Sequence, residues 1–335
     1  MPIGSVVVVV LLLFFKVQSP NTPVIAGLKA IDWPGSLLIV GGALMILLGI
    51  NFGDVEYSWS SSTVICLIVI GTVTIGVFIF NEWKVANPII PLRLFSSPST
   101  VAVYGVFACN FYVFIGLAYY LPLYSQSVLG VNALRSGLYL MPLIISSSLA
   151  AAAAGIFIQQ TGKYLPMMWA AQVMLTLGVG LFVNLKFEEN LTKLFLFQII
   201  VGIGVGMNID APILAAQAAT TSLDTAAVTG TMGFLRNIAN AISIVIGGVV
   251  FQNEMNTANH KLVGDLGLQL ATNFSGGQAS ANVDFIGTLP TNQQVIVRRA
   301  YYGSLRTVWM MVTTPSHFPS LDAVLTENIT GKSCR

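Results

Sequence analysis

Seven long stretches of this chain are apolar and almost free of charge. They span residues 35–52, 62–80, 100–122, 137–159, 165–185, 194–216 and 227–251, and a shorter one covers 1–15. An α-helix needs about 20 residues to cross the roughly 30 Å hydrocarbon layer of a bilayer. That layer offers no water to backbone N–H and C=O groups, so segments of this kind satisfy their own polar groups as helices. The pattern predicts an all-α chain, a polytopic transmembrane helical bundle of about eight helices.

Composition agrees. Hydrophobic residues make up 55% of the chain and charged residues 8%, against about 25% charged in a soluble domain. The net charge of +2 comes with no block of Lys or Arg, so nucleic acid is not an expected partner. Cys66 and Cys109 lie in apolar stretches and Cys334 near the end, with no CxxC pair, and the two histidines, His260 and His317, fall in expected connectors. Neither a disulfide framework nor a metal site is expected, and no cofactor. No HExxH, no buried histidine cluster and no paired acidic motif supports an enzyme. The segment 1–15 lacks a basic leader and a small-residue cleavage site, so it reads as part of a spanning helix.

The connectors are short and polar, with one exception. Residues 252–303 are of low hydropathy, with Gly276-Gly277 near the middle. They read as a surface loop outside the bilayer, with some helix near 293–302. Three regions follow: a membrane region over 1–251, an extramembrane loop over 252–303, and an aborted last helix with a polar tail over 304–335. Pro315 and Pro319 are incompatible with an undisturbed helix there. Lys16, Lys29, Lys84, Arg93 and Lys163 occupy alternate connectors, which fits those connectors being cytoplasmic. The sequons at Asn190 and Asn273 fall in the other set.

Only Asp210 and Arg236 carry charge well inside the apolar stretches. A charge at the bilayer centre costs about 2.5–3.5 kcal/mol on insertion scales, so such a residue usually faces a cavity or a partner. The two sit at comparable depth on consecutive antiparallel helices. They are expected to face the protein interior, within reach of each other, as a proton or substrate site or as a helix-pinning ion pair. Asn110 and Gln172 lie some way into their helices, and Tyr112 is near Asn110. A cavity for small amphipathic molecules needs apolar walls with few polar groups, and these residues suit it. Tyr119, Tyr120, Tyr124 and Gln126 lie nearer an interface, where an aromatic belt is the ordinary reading. Gly202-Ile-Gly-Val-Gly206 reads as a small-residue packing face.

Several local patterns resemble the fourteen-helix drug:proton antiporters of the major facilitator superfamily, especially fungal toxin and multidrug efflux pumps. They are Met1-Pro-Ile-Gly4, Ile31-Asp-Trp-Pro-Gly-Ser36, Asn87-Pro-Ile-Ile-Pro-Leu-Arg-Leu-Phe95, Ser136-Gly-Leu-Tyr-Leu-Met-Pro-Leu143 and Phe234-Leu-Arg-Asn-Ile-Ala-Asn-Ala-Ile-Ser243. Their order and spacing resemble the family's sixth to thirteenth helices. Gly155-Ile-Phe-Ile-Gln-Gln-Thr-Gly-Lys163 has the spacing of the superfamily loop signature, with Gln159 where the signature has Asp. By resemblance Gly155, Gln159, Gly162 and Lys163 form a conformational latch; an ordinary turn is the alternative.

The resemblance implies a partial major facilitator fold: the end of one half, two linker helices and the second half. The first five helices are expected to be missing and the last one cut short, as in a truncated product. The implied function is proton-coupled efflux of small amphipathic molecules such as toxins or drugs. A transport-dead membrane fragment or helix-association scaffold is the alternative. Arg236 is favoured over Asp210 as a site residue, because the family position matching Asp210 is often uncharged. The expected partners are a small-molecule substrate, protons and the lipid bilayer. The expected location is the plasma membrane, with a vacuolar or vesicle membrane as the alternative.

Overall fold

The computed structural model describes residues 32–313, apart from 54–56, 86–87, 186, 188–189 and 221–223. Among these residues there are helices and no strand. The long elements are α1 (Trp33–Phe52), α2 (Ser62–Lys84), α3 (Pro98–Ser127), α5 (Met141–Thr161), α6 (Leu165–Val183), α7 (Leu191–Ala218), α8 (Thr225–Leu266) and α11 (Thr291–Thr313). Short helices α4 (Ala133–Tyr139), α9 (Leu268–Thr272) and α10 (Gly276–Ala281), with 3₁₀ turns at Leu92–Phe95 and Asp284–Thr288, join them. Seven of the expected spans are helices long and apolar enough to cross a membrane. The expected segment 1–15 and everything after Thr313 lie outside the described residues.

The helix ends follow local chemistry. The Asp32 side chain accepts from Gly35 N–H at 2.9 Å and starts α1, and its second oxygen accepts from Asn81 Nδ2 at 2.7 Å near the end of α2. Glu82 is buried and accepts from the Ile89 and Ile90 N–H groups at 3.3 and 3.1 Å, turning the chain out of α2. Gly162 ends α5 at φ 68°, the left-handed geometry that glycine adopts without steric cost.

α7 sits between α5 and α6, and α8 packs on α3 and α11. Glycines make the first of these contacts possible. A Cβ on Gly202 or Gly206 would collide with Ser146 or the Ser147 carbonyl of α5. On Gly204 it would lie 2.6 Å from the Leu175 nitrogen of α6. The Gly202–Gly206 run is thus a two-sided packing surface, as its small residues suggested. α1 and α2 pair with each other and reach the rest through α8.

The low-hydropathy segment differs from its reading as a loop. α8 runs unbroken to Leu266, and α11 begins at Thr291. Between them Ala271, Phe274, Ala279 and Ile286 are buried, and Tyr301 donates its hydroxyl to the Ala279 carbonyl at 2.6 Å. Each helix in the segment buries one face, and those faces join the apolar cluster that also holds Val113 and Leu117 of α3. Met255 and Leu262 lie inward on α8, and Val297, Tyr301, Leu305, Val308 and Val312 lie inward on α11, at helical spacing.

Candidate functional site: a polar waist

The bundle holds two apolar clusters, one toward each end. The first contains Val113, Leu117 and Tyr120 of α3, Leu143 of α5, Leu175 and Phe182 of α6, Val201 and Val205 of α7, and Phe251 of α8. The second contains Phe107 and Phe111 of α3, Ile158 of α5, Met168 of α6, Ala211 and Ala215 of α7, and Val228 and Met232 of α8. Between the two, each helix carries polar residues: Asn110 on α3, Ser146 to Ser148 on α5, Gln172 on α6, Asn208 and Asp210 on α7, and Arg236, Asn240 and Ser243 on α8. The waist of the bundle is polar, and four of the five expected path residues sit in it.

α3 is the hub of this level. Asn110 is fully buried, and its Nδ2 donates to the Val205 and Asn208 carbonyls of α7, each at 3.3 Å. Tyr112, half-buried, offers its carbonyl to Ser243 Oγ of α8 at 2.7 Å. Phe111 presents its ring to Arg236, whose guanidinium carbon lies 4.5 Å from the ring centre. A cation over an aromatic face is worth about 0.5–2 kcal/mol, depending on how dry the site is. Tyr120 donates to the Ile244 carbonyl at 2.7 Å, tying α3 to α8 a further two turns along.

Three expectations change. Asp210 and Arg236 form no ion pair, because α7 and α8 follow one another in sequence but pack mainly on other helices: α7 on α5 and α6, α8 on α3 and α11. Both side chains are exposed rather than turned into the core of the chain. Asn110 is not at a surface a substrate could touch, since its exposure is 0%. Gln172 is half-buried on α6, whose main neighbours are α7 and α11, so it shares the level but not the hub.

In the loop between α5 and α6, Gly162 makes the sharp turn, while Gln159 and Lys163 are exposed. Among the described residues nothing approaches within 4 Å of the place a Cβ on Gly155 would occupy. Asn208 and Ser243, both fully buried, were not singled out from the sequence. The signal for Asn208 was an amide in an apolar run, two residues before the more conspicuous Asp210.

At the far end of α3 a cleft of about 360 Å³ opens, lined in part by Tyr119, Tyr120, Gln126 and Gln252.

Comparison with known proteins fixes the family. The sequence profile described as Major Facilitator Superfamily matches residues 2–248. This chain belongs to the major facilitator superfamily. It is 40% identical over 316 residues to the MFS-type transporter ppz2 of Metarhizium majus, covering 93% of this chain and 54% of that one. It is 41% identical over 314 residues to the efflux pump dotC of Dothistroma septosporum, covering 93% and 54%. The efflux pump FUS6 of Gibberella fujikuroi matches at 29% identity over 93% of this chain and 57% of its own length. The chain thus spans about half the length of the curated relatives it matches.

The fold is similar to that of a bacterial homologue of the human lysosomal transporter Spinster, solved inward-facing and occupied. The TM-score is 0.51 at 16% identity, over 90% of this chain and 64% of that one. As a superfamily member with seven apolar spanning helices, the chain is an integral multi-pass membrane protein and not an enzyme.

Proposed function

We propose that this chain contributes to proton-coupled efflux of small amphipathic molecules of the toxin or drug class, from the plasma membrane or from a vacuolar or vesicle membrane. The observation that carries the reading is the waist: a cation, Arg236, exposed at mid-span of an apolar helix and held over Phe111, with Asp210 exposed at the same level. A membrane helix tolerates such charges where they face a cavity or a facing bundle. In a major facilitator the substrate site lies near the midplane between two bundles that rock about it. The exposed faces of α7 and α8 are the surface we assign to that site, with Tyr112 beside it. Asn110 and Gln172 support it from within. The relatives named as efflux pumps support export as the direction. We place residues 252–303 outside the bilayer as a cap on one end.

The test is transport in proteoliposomes under an imposed pH gradient, with a fluorescent amphipathic cation and a neutral aromatic toxin analogue as separate probes. The reading expects gradient-driven movement of at least one probe, and loss of most of it in Arg236→Ala at equal insertion. A chain that inserts and folds but moves neither probe is a helix-association scaffold and overturns the transport reading. Unchanged transport in Arg236→Ala removes Arg236 from the site.

A further inference from the structure

Pro212 lies inside α7, four residues after Asn208. A proline has no N–H, so the carbonyl four residues earlier loses its intrahelical donor, and the ring presses against that same carbonyl. The carbonyl concerned is that of Asn208. It is buried, and a buried carbonyl without a donor is costly. Neighbouring helices are one source of a replacement bond in membrane proteins. Here the replacement is visible: Asn110 Nδ2, from α3, reaches the Asn208 carbonyl at 3.3 Å and the Val205 carbonyl one turn earlier at 3.3 Å.

The position of this contact gives it meaning. Asn110 lies between Phe107 and Phe111 of one apolar cluster and Val113 of the other. Asn208 lies between Val205 of the first cluster and Ala211 of the second. The proline, its freed carbonyl and the amide that serves it thus sit at the boundary of two separately packed ends. Among the described residues, Asn110 Oδ1 and both side-chain polar atoms of Asn208 are buried without a hydrogen-bond partner.

We propose that Asn110 is a positioning residue for α7. Its amide supplies, from α3, the hydrogen bond that Pro212 withdraws, and so fixes how the two ends of α7 are set relative to each other across the waist. This goes beyond the transport reading. If alternating access operates, α7 is where one end of the bundle moves against the other, with the amide as the brace.

The bond is tested by a double-mutant cycle on the full chain in detergent, with no transport measured, so the result stands apart from the fate of the efflux reading. The variants are Asn110→Leu, Pro212→Ala and both together. Alanine at 212 restores the N–H that the Asn208 carbonyl lacks, so Asn110 becomes redundant. We expect Asn110→Leu to lower the midpoint of thermal unfolding by roughly 2–4 °C in the parent chain and to have no effect in the Pro212→Ala background. An equal loss in both backgrounds overturns the proposal, because it makes Asn110 a packing residue only.

A second measurement reads position rather than stability and holds even where one variant folds poorly in bulk. Nitroxides at Val101 of α3 and Leu214 of α7, both exposed, are placed on a background without the native cysteines. Their distance distribution should broaden in Asn110→Leu and narrow again in the double variant. An unchanged distribution in Asn110→Leu overturns the proposal.

Discussion

The α1–α2 hairpin and the α3–α7 pair are both built from long apolar helices, yet they stand in opposite relations to the protein. Of the apolar windows of α1 and α2, 17% of residues are buried within the chain; for α3 and α7 the share is 56%. The hairpin is no less apolar than the buried pair. Glycines serve both regions, since Gly42, Gly49 and Gly71 bring α1 and α2 together as Gly202, Gly204 and Gly206 seat α7. The buried pair differs instead by a buried mid-helix amide and an internal proline in each helix, Asn110 and Pro122 in α3, Asn208 and Pro212 in α7. Lipid tails are as apolar as leucine, so hydrophobicity does not draw one membrane helix to another. Close approach, made possible by small residues, and polar bonds do so. In this chain hydropathy alone does not tell the outer hairpin from the inner pair, and the buried mid-helix amides Asn110 and Asn208 do.

The sharpest way to break that comparison uses two tryptophans. Trp309 of α11 is fully buried against Tyr124 and Phe182, with ring centres 5.1 and 5.9 Å apart, while Trp83 of α2 is 75% exposed. Trp309→Ala should cost about 3–5 kcal/mol of stability in detergent, the usual range for a large aromatic removed from a core. Trp83→Ala should stay within about 0.5 kcal/mol. Denaturant titration followed by far-ultraviolet circular dichroism reads both, and equal losses would mean the hairpin packs as tightly as the bundle.

A smaller effect is expected from adding single methyl groups. Gly206→Ala forces α7 against α5 and should cost about 1–3 kcal/mol by overpacking. Gly76→Ala in α2, where nothing among the described residues lies within 4 Å of the new Cβ, should be neutral or stabilising by up to about 1 kcal/mol through helix propensity. If Gly206→Ala were also harmless in thermal unfolding, the small-residue account of α7 would fail. Glu82→Ala should come third, at about 1–2 kcal/mol, since it strips the buried Ile90 N–H and the half-buried Ile89 N–H of their acceptor. That loss should appear as faster hydrogen exchange at Ile89 and Ile90, with α7 unchanged.

Smallest of all is Leu37→Ala in α1, a residue 74% exposed. It should leave the detergent midpoint within about 1 °C, because little of the described chain surrounds it.

Much of this was legible in the residues. Charge-free runs gave seven helices, because only a helix can hide its backbone in lipid. Glycine spacing gave the α7 contact. The segment after Phe251 was not legible as helix by hydropathy, because Asn253, Glu254, Asn256, His260, Lys261 and Asp265 mask it. The 3.6-residue spacing of Val297, Tyr301, Leu305, Val308 and Val312 was there to be read. The pairing of Asp210 with Arg236 failed for another reason. Adjacency in sequence is not adjacency in space here: α8 packs on α3, and Arg236 meets Phe111 instead. The role of Asn110 could not be read from one helix alone, since it depends on a proline 102 positions later in the chain.

One consequence follows from the length of α8. Its 42 residues make a rod of about 63 Å at 1.5 Å per residue, roughly twice the thickness of the hydrocarbon layer. No break separates the part beside Arg236 from the part beside Met255 and Leu262, which is packed against α11. Such a rod is a lever: a lean of about 10° at its middle swings its tip by about 5 Å. A ligand or antibody gripping the far end would be holding the handle of the helix that carries Arg236.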